Sequence, residues 1–203
     1  MKNIFPDWTN EKKLYDAGVK IIAGIDEAGR GPFAGPVVAA CVILPAYAEI
    51  AGVNDSKKLS EKKRAEVNKL IIETAVSIGV AAVDEKRIDE INILNATREA
   101  MMNAALKLKI KPDHVLIDGL PVHGFCFNHT AIPGGDAKSV LIAAASIVAK
   151  MYRDGLMIEY DKIYPEYGFA KHKGYGTVQH IEAIKKYGPC PIHRRTFIKK
   201  FIG

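Results

Sequence analysis

From Asp136 to about Ile163 the sequence has the spacing of one long helix. Between Val140 and Ala149 that helix is apolar almost all the way round, interrupted by Ser146 alone. A helix with no polar face to give to water has to be buried. The run is far short of the roughly 20 apolar residues that cross a bilayer, so no membrane partner is expected. The other apolar segments are shorter. Lys20–Asp26 and Val37–Leu44 are β-rich and joined by a Gly/Pro-rich turn, the pattern of an antiparallel hairpin. Val76–Val83, His114–Asp118 and Gly124–Ile132 read as further strands, with His114–Asp118 central. Helices are expected over 9–17, with Thr9 as its cap, after Ser60 with Val67, Leu70, Ile71 and Ala75 on the apolar positions, and over Ile91–Leu108. Strands that start as a hairpin and then alternate with helices indicate an α/β domain on a mixed sheet.

The chain has 203 residues, 48% of them hydrophobic and 26% charged, which suits one sizeable domain with a small appendage. The division expected is a main domain over 1–163 and a basic helical and loop segment over 164–203. The N-terminus carries charges and a proline and lacks a signal-peptide core. Cys41, Cys126 and Cys190 are odd in number and far apart, so reduced thiols and a cytoplasmic location are expected. Cys190 and His193 form a C-x-x-H pair without a second pair to complete a zinc site. The formal net charge of +6 favours a polyanionic partner.

Four acids fall at the ends of apolar runs. Asp26 and Glu27 close the first strand, Asp118 closes "VLI", and Asp136 precedes the buried helix. Adjacent carboxylates repel, and burying them is costly unless a cation is near. A cluster of carboxylates without histidine or cysteine suits Mg²⁺ or Mn²⁺ rather than zinc. Two such ions about 4 Å apart can clamp the attacking and leaving oxygens of a phosphodiester displacement. Each acid also has a plainer reading: Asp118-Gly119 as a turn pair, Asp136 as a helix cap.

Gly29, Gly31 and Gly35 have the wrong spacing for a dinucleotide loop, and no Walker A motif is present. Gly29 and Gly31 around Arg30 suit backbone N–H contacts with a sugar or phosphate. After Glu182 the chain holds no acid, while Lys185, Lys186, Arg194, Arg195, Lys199 and Lys200 alternate with Tyr187, Phe197 and Phe201. Bases mixed with aromatics suit a surface that tracks a nucleic-acid backbone. Asp55–Lys58 is a second basic loop. Tyr175, between two glycines, is placed for stacking. His172 and His180 are candidates to protonate a leaving group, although solvated histidines are commoner. A metal-dependent nuclease, a related polynucleotidyl transferase or junction nuclease, and a non-enzymatic nucleic-acid binding module all remain compatible with these residues.

The segments "GIDEAGRGPFAGPVVAA", "DSKKLS", "INILNAT", "LIDG", "GGDAKS", "AAASIVAK", "YGFAKHKGYGT" and "GPCPIHRRTF" occur in that order. Together they resemble the bacterial ribonuclease HII (type 2 ribonuclease H) family over about residues 20–197. The resemblance implies a ribonuclease H-like mixed sheet flanked by helices, with a small C-terminal helical extension packed beside the active site. It implies hydrolysis of RNA in RNA–DNA hybrids and incision 5′ of single ribonucleotides in duplex DNA, leaving 3′-hydroxyl and 5′-phosphate ends. Asp26, Glu27, Asp118 and Asp136 take the positions of the catalytic acids that hold two Mg²⁺ or Mn²⁺ ions. Gly29, Arg30 and Gly31 take those that read the ribose 2′-hydroxyl, and Tyr175 that of the tyrosine stacked on the neighbouring deoxyribose. Lys57, Lys138, Ser139, Ser146, Lys150, Lys173 and Arg194 are the remaining expected substrate contacts. The family commonly has a lysine where this chain has Gly134, with Lys138 as a candidate replacement, and a serine where it has Leu141. The ending "TFIKKFIG" does not resemble a sliding-clamp peptide, and a monomer is expected.

Overall fold

The computed structural model describes residues 5–53 and 59–202. Strands β1 (Ile22–Ala28), β2 (Val37–Ile43), β3 (Ser77–Val83), β4 (His114–Asp118) and β5 (His129–Ile132) form one sheet in the order β3-β2-β1-β4-β5. The β1–β2 and β2–β3 pairs are antiparallel. The β1–β4 and β4–β5 pairs are parallel. The sheet is mixed, as the order of segments implies. His114–Asp118 is an interior strand, as expected, next to β1 at the middle of the sheet, and β5 starts at His129 rather than Gly124.

Alternate strand residues feed two layers. Ala23, Ile25, Val115 and Ile117 face α3 (Glu85–Leu106), where Ala96, Ala100 and Ala104 are buried. Ile22, Val38, Val42 and Leu116 face α2 (Glu61–Thr74) and α4 (Val140–Ile163). The all-round apolar character of α4 is thereby used. The sheet covers one side, Val67 and Ile71 of α2 another, and Trp8, Leu14 and Tyr15 around α1 (Thr9–Asp16) pack against the same cluster.

The helix ends correct three expectations. Ser60 does cap α2, accepting from Lys63 N at 3.3 Å. Thr9 is not the cap of α1; its own N–H donates to Asp7 Oδ1 at 2.8 Å. Asp136 is not the cap of α4. It lies in a 3₁₀ turn, Gly135–Ala137, and Ser139 caps the helix by accepting from Ile142 N at 3.2 Å. The third helix begins earlier than Ile91 and is broken. Asn92 has φ 65°, and its Oδ1 accepts from Leu94 N and Asn95 N at 3.0 and 3.1 Å, which starts a fresh helical segment. The first part, capped by Asp84, holds few apolar residues and so has little periodic signal.

Beyond Tyr164 the short helices α5 (Phe169–His172), α6 (Val178–Tyr187) and α7 (Arg195–Ile198) enclose a core of their own, with Phe169, Ile184, Ile192 and Ile198. Ala34 of the β1–β2 loop and Met157 of α4 complete it. Asp89 of α3 accepts from the N–H groups of Arg195 and Thr196 at 2.6 and 3.0 Å.

The contact between α4 and β1 is backbone on backbone. A Cβ at Gly24 would lie 2.2 Å from Leu141 C and 2.5 Å from Ile142 N. Gly24→Ala should therefore destabilise the protein by about 1–3 kcal/mol, the usual cost of overpacking a core. The check is the urea unfolding midpoint, and an unchanged midpoint would contradict this close seating.

Candidate active site

Register alone brings two of the acids together. In the parallel β1–β4 pair Ile25 lies beside Ile117, so Asp26 and Asp118 emerge next to each other at the same sheet edge. Asp118 pairs with Ile132 of β5. The chain then turns back, and Gly135 N donates to Asp118 Oδ1 at 2.6 Å. That bond fixes the turn carrying Asp136, which is buried. Glu27 follows Asp26 on the opposite face of β1. All four expected acids thus reach one edge of the sheet.

Their electrostatics are unfavourable as they stand. Asp26 is only 4% exposed. Burial pushes its carboxyl well above the usual carboxylate range, and Glu27 and Asp118 push it further. Bonds from Glu27 N, at 2.7 Å, and from the Ser146 hydroxyl oppose this. Glu27 is also raised, first by burial and then by Asp118, while Arg30, 3.3 Å away, draws it down. Among the described residues, no three His, Cys, Asp or Glu side chains already stand close enough to enclose a cation. The donor set nonetheless fits one. It is oxygen-only, buried at Asp26 and Asp136 and half-buried at Glu27 and Asp118, and mutually repelling, which is the chemistry of a hard divalent ion.

Beside the acids lies a cavity of about 270 Å³, lined by Glu27, the Gly29–Gly31 turn, Ser146 and Lys150 of α4, and Tyr175. These expected substrate residues are brought together. Tyr175 is 45% exposed; its N–H donates to His172 O and its carbonyl accepts from Thr177 N, at 2.9 and 2.8 Å, which holds a tight turn. Lys150 lies 2.6 Å from Asp154. A second cleft of about 200 Å³ opens on the other flank of Glu27 and Arg30 and includes Arg98, Asp118 and Leu120. Arg98 escaped the sequence reading because a lone base on a helix carries no signal.

The other expected contacts do not line this cavity. Lys57 lies outside the described residues. Ser139 is fully buried, its hydroxyl donating to Glu11 Oε1 at 2.5 Å, so it builds the α4 cap rather than facing substrate. Lys138 donates to Pro133 O, and Lys173 to Ala170 O. Arg194 is fully buried, which overturns its expected substrate contact. Its Nε donates to Gly35 O at 2.9 Å, Nη1 to Arg30 O at 2.9 Å and Nη2 to Gly29 O at 2.6 Å. Burial, with the neighbouring Arg153 second, draws Arg194 down to about 9. Arg153, which the sequence reading did not single out, is buried beside it. It donates to Pro36 O, Lys173 O and Ala34 O at 3.0, 3.0 and 3.1 Å. Its place in the charged second half of α4, beyond Ala149, gave no signal of burial.

His172 and His180 are buried, not solvated, and neither faces the acids. His180 Nδ1 donates to Tyr175 O at 2.9 Å, which leaves its Nε2 to accept from His193 Nε2, also at 2.9 Å. His193 Nδ1 then accepts from Cys190 N at 3.0 Å. Burial first of all holds both His180 and His193 down at about 4. His172 donates from Nε2 to Tyr167 O at 2.7 Å and accepts from Gly174 N at 3.2 Å. These rings support the turn under Tyr175, and the Cys190–His193 pair belongs to that network.

The arrangement of acids, glycine-arginine-glycine turn and tyrosine coincides with a sequence match. Residues 23–200 match the family model described as Ribonuclease HII. The chain belongs to the ribonuclease HII family. It is 56% identical over 192 residues to Ribonuclease HII of Caldanaerobacter subterraneus subsp. tengcongensis, covering 95% of this chain and 80% of the relative. Identity to Ribonuclease HII of Endomicrobium trichonymphae is 60% over 188 residues, covering 92% and 90%. The crystal structure of the ribonuclease H2 from Pyrococcus horikoshii OT3 superposes with a TM-score of 0.74 at 30% identity, covering 90% of this chain and 97% of that one. As a ribonuclease HII the chain is a metal-dependent endoribonuclease acting on RNA in RNA–DNA hybrids.

Asp26 has a folded-state pKa above its unfolded one. Its stabilising proton uptake is complete below the unfolded value near 4 and is lost as pH rises through the folded value. At pH 7, Asp26→Asn should thus raise the melting temperature of the metal-free ribonuclease while removing nearly all cleavage. Mg²⁺ or Mn²⁺ should raise the melting temperature of the wild type and leave that of the variant unchanged. Near-normal turnover by a folded variant would refute the assignment.

Proposed function

We propose that this ribonuclease, besides cutting RNA in hybrids, incises 5′ of a single ribonucleotide embedded in duplex DNA. The observation that carries this reading is the cavity in which Glu27, the Gly29–Gly31 turn and Tyr175 meet. It joins the acids directly to a recess of sugar size. The 2′-hydroxyl is the group that tells RNA from DNA at a single position. Glycines at 29 and 31 let the backbone come close to it, and Gly29, at φ 96°, adopts a conformation that side chains disfavour. Tyr175 offers an exposed ring for the next sugar, one that stacks well only on a deoxyribose and so selects an RNA-to-DNA junction.

In this reading Asp26, Glu27, Asp118 and Asp136 would hold two divalent ions, Mg²⁺ or Mn²⁺. When bound, such ions supply an activated water and charge neutralisation at the departing 3′ oxygen, leaving 3′-hydroxyl and 5′-phosphate ends. Ser146 orients Asp26, and Arg30 partly offsets the upward push on the Glu27 carboxyl. Lys138 supplies the charge of the family's lysine at position 134, because its Nζ lies 4.0 Å from where a Cβ at Gly134 would stand. Segment 164–203 is read as a basic extension to the catalytic domain 1–163 that carries Tyr175 to the site and tracks the duplex. The protein is read as a cytoplasmic monomer without a sliding-clamp peptide. No helix among the described residues is long and apolar enough to cross a membrane.

The deciding assay is cleavage of a DNA duplex with one ribonucleotide, with Mg²⁺, Mn²⁺ or EDTA, beside an all-DNA control. One cut 5′ to the ribonucleotide, absent with EDTA and from the control, is expected. Binding without a cut in either metal would overturn the reading. Tyr175→Ala should lower kcat/KM on that junction about 10-fold or more, in line with roughly 1–3 kcal/mol for a stacked ring. Tyr175→Phe should retain most of it, since the face of the ring rather than its hydroxyl makes the contact.

A further inference from the structure

The Gly29–Pro36 loop is held from behind by buried guanidinium groups. Arg194 takes the carbonyls of Gly29, Arg30 and Gly35 with its three side-chain nitrogens, and its own backbone N–H takes Phe33 O at 2.8 Å. Arg153 takes those of Ala34 and Pro36. No peptide bond of the described chain is cis. In a trans peptide the C=O and the following N–H point in opposite directions. Drawing Gly29 O and Arg30 O inward to Arg194 therefore turns the N–H groups of Arg30 and Gly31 outward. Neither N–H donates to an acceptor among the described residues. Both residues line the cavity, and a Cβ on Gly31 would stand 3.8 Å from the Tyr175 ring.

We infer that Arg194 is a positioning residue for ribose recognition: by holding the carbonyls of Gly29 and Arg30, it aims the following two N–H groups at the sugar 2′-oxygen in the cavity shared with Tyr175. This inference rests on the ribose reading above and adds the group that enforces it. Arg194 touches no substrate. A fork of rigid, coplanar donors is needed because the carbonyls diverge, and a lysine ammonium at the same site has neither the reach nor the planarity to satisfy them together. The preference for a ribonucleotide thus originates in the C-terminal segment, although the atoms that contact the sugar belong to the β1–β2 loop.

The test compares binding of two otherwise identical DNA duplexes, one with a single ribonucleotide and one all-DNA, in EDTA so that neither is cut. The wild type should bind the ribonucleotide duplex at least 10-fold more tightly. Arg194→Lys, checked for folding by circular dichroism and melting, should bring that ratio to within about 2-fold of unity while its affinity for the all-DNA duplex changes less than about 3-fold. A general loosening of the fold would weaken both affinities together and leave their ratio intact. A folded Arg194→Lys that keeps the wild-type ratio overturns the positioning role and leaves the ribose reading standing. A wild type without preference overturns the ribose reading, and this inference with it. If neither Arg194→Lys nor Arg194→Gln folds, amide hydrogen exchange on the wild type decides. Added protection of Arg30 and Gly31 N–H by the ribonucleotide duplex over the all-DNA duplex supports the inference, and equal protection overturns it.

Discussion

Everything near the acids depends on how closely α4 can sit on β1. Gly24 removes the one side chain that would hold them apart, so the helix backbone rests on the strand backbone. From that seat a single stripe of α4 serves the whole site. Ser146 bonds Asp26, Lys150 lines the cavity, Arg153 holds the β1–β2 loop, and Met157 enters the C-terminal core. These residues are spaced three or four apart, the spacing that puts side chains on one helical face. One rigid rod thus sets the distance between the acids, the sugar recess and the C-terminal helices.

The cost of this arrangement is electrostatic. Asp26 and Glu27 lose hydration and repel each other and Asp118. A hydrophobic core on both faces of the sheet holds them there regardless. Arg30 relieves Glu27 in part, while the buried guanidinium groups of Arg153 and Arg194 are directed at backbone carbonyls instead. Positive charge inside this protein is spent on shaping a loop, and the acids are left to attract charge from solution.

Much of this was legible beforehand. The strands, α2 and α4 follow from apolar periodicity, and the four acids from their positions at the ends of apolar runs. What the periodicity misses is local and polar. Nothing in "DEKRIDEIN" announces a short helix that Asn92 ends and restarts, because its signal lies in a side-chain bond to Leu94 N and Asn95 N. Ser139 and Arg194 were legible as polar residues in family motifs, yet which way each points is a matter of tertiary packing. The basic composition after Glu182 suggested a surface that tracks a nucleic-acid backbone, whereas burial of Arg194 and His193 turns part of it inward. Asp136 carried two readings, cap and ligand, and the 3₁₀ turn before Ser139 removes the first.

The histidines beneath Tyr175 have a further consequence. Each ring nitrogen in the series from Cys190 N through His193 and His180 to Tyr175 O is committed as donor or acceptor, so the hydrogens can be arranged in one order only. The series has a direction, like a row of arrows laid head to tail. An extra proton on either ring would set two arrows against each other instead of strengthening the row. The tyrosine therefore stands on a support that has to remain uncharged, inside a segment whose surface is strongly positive.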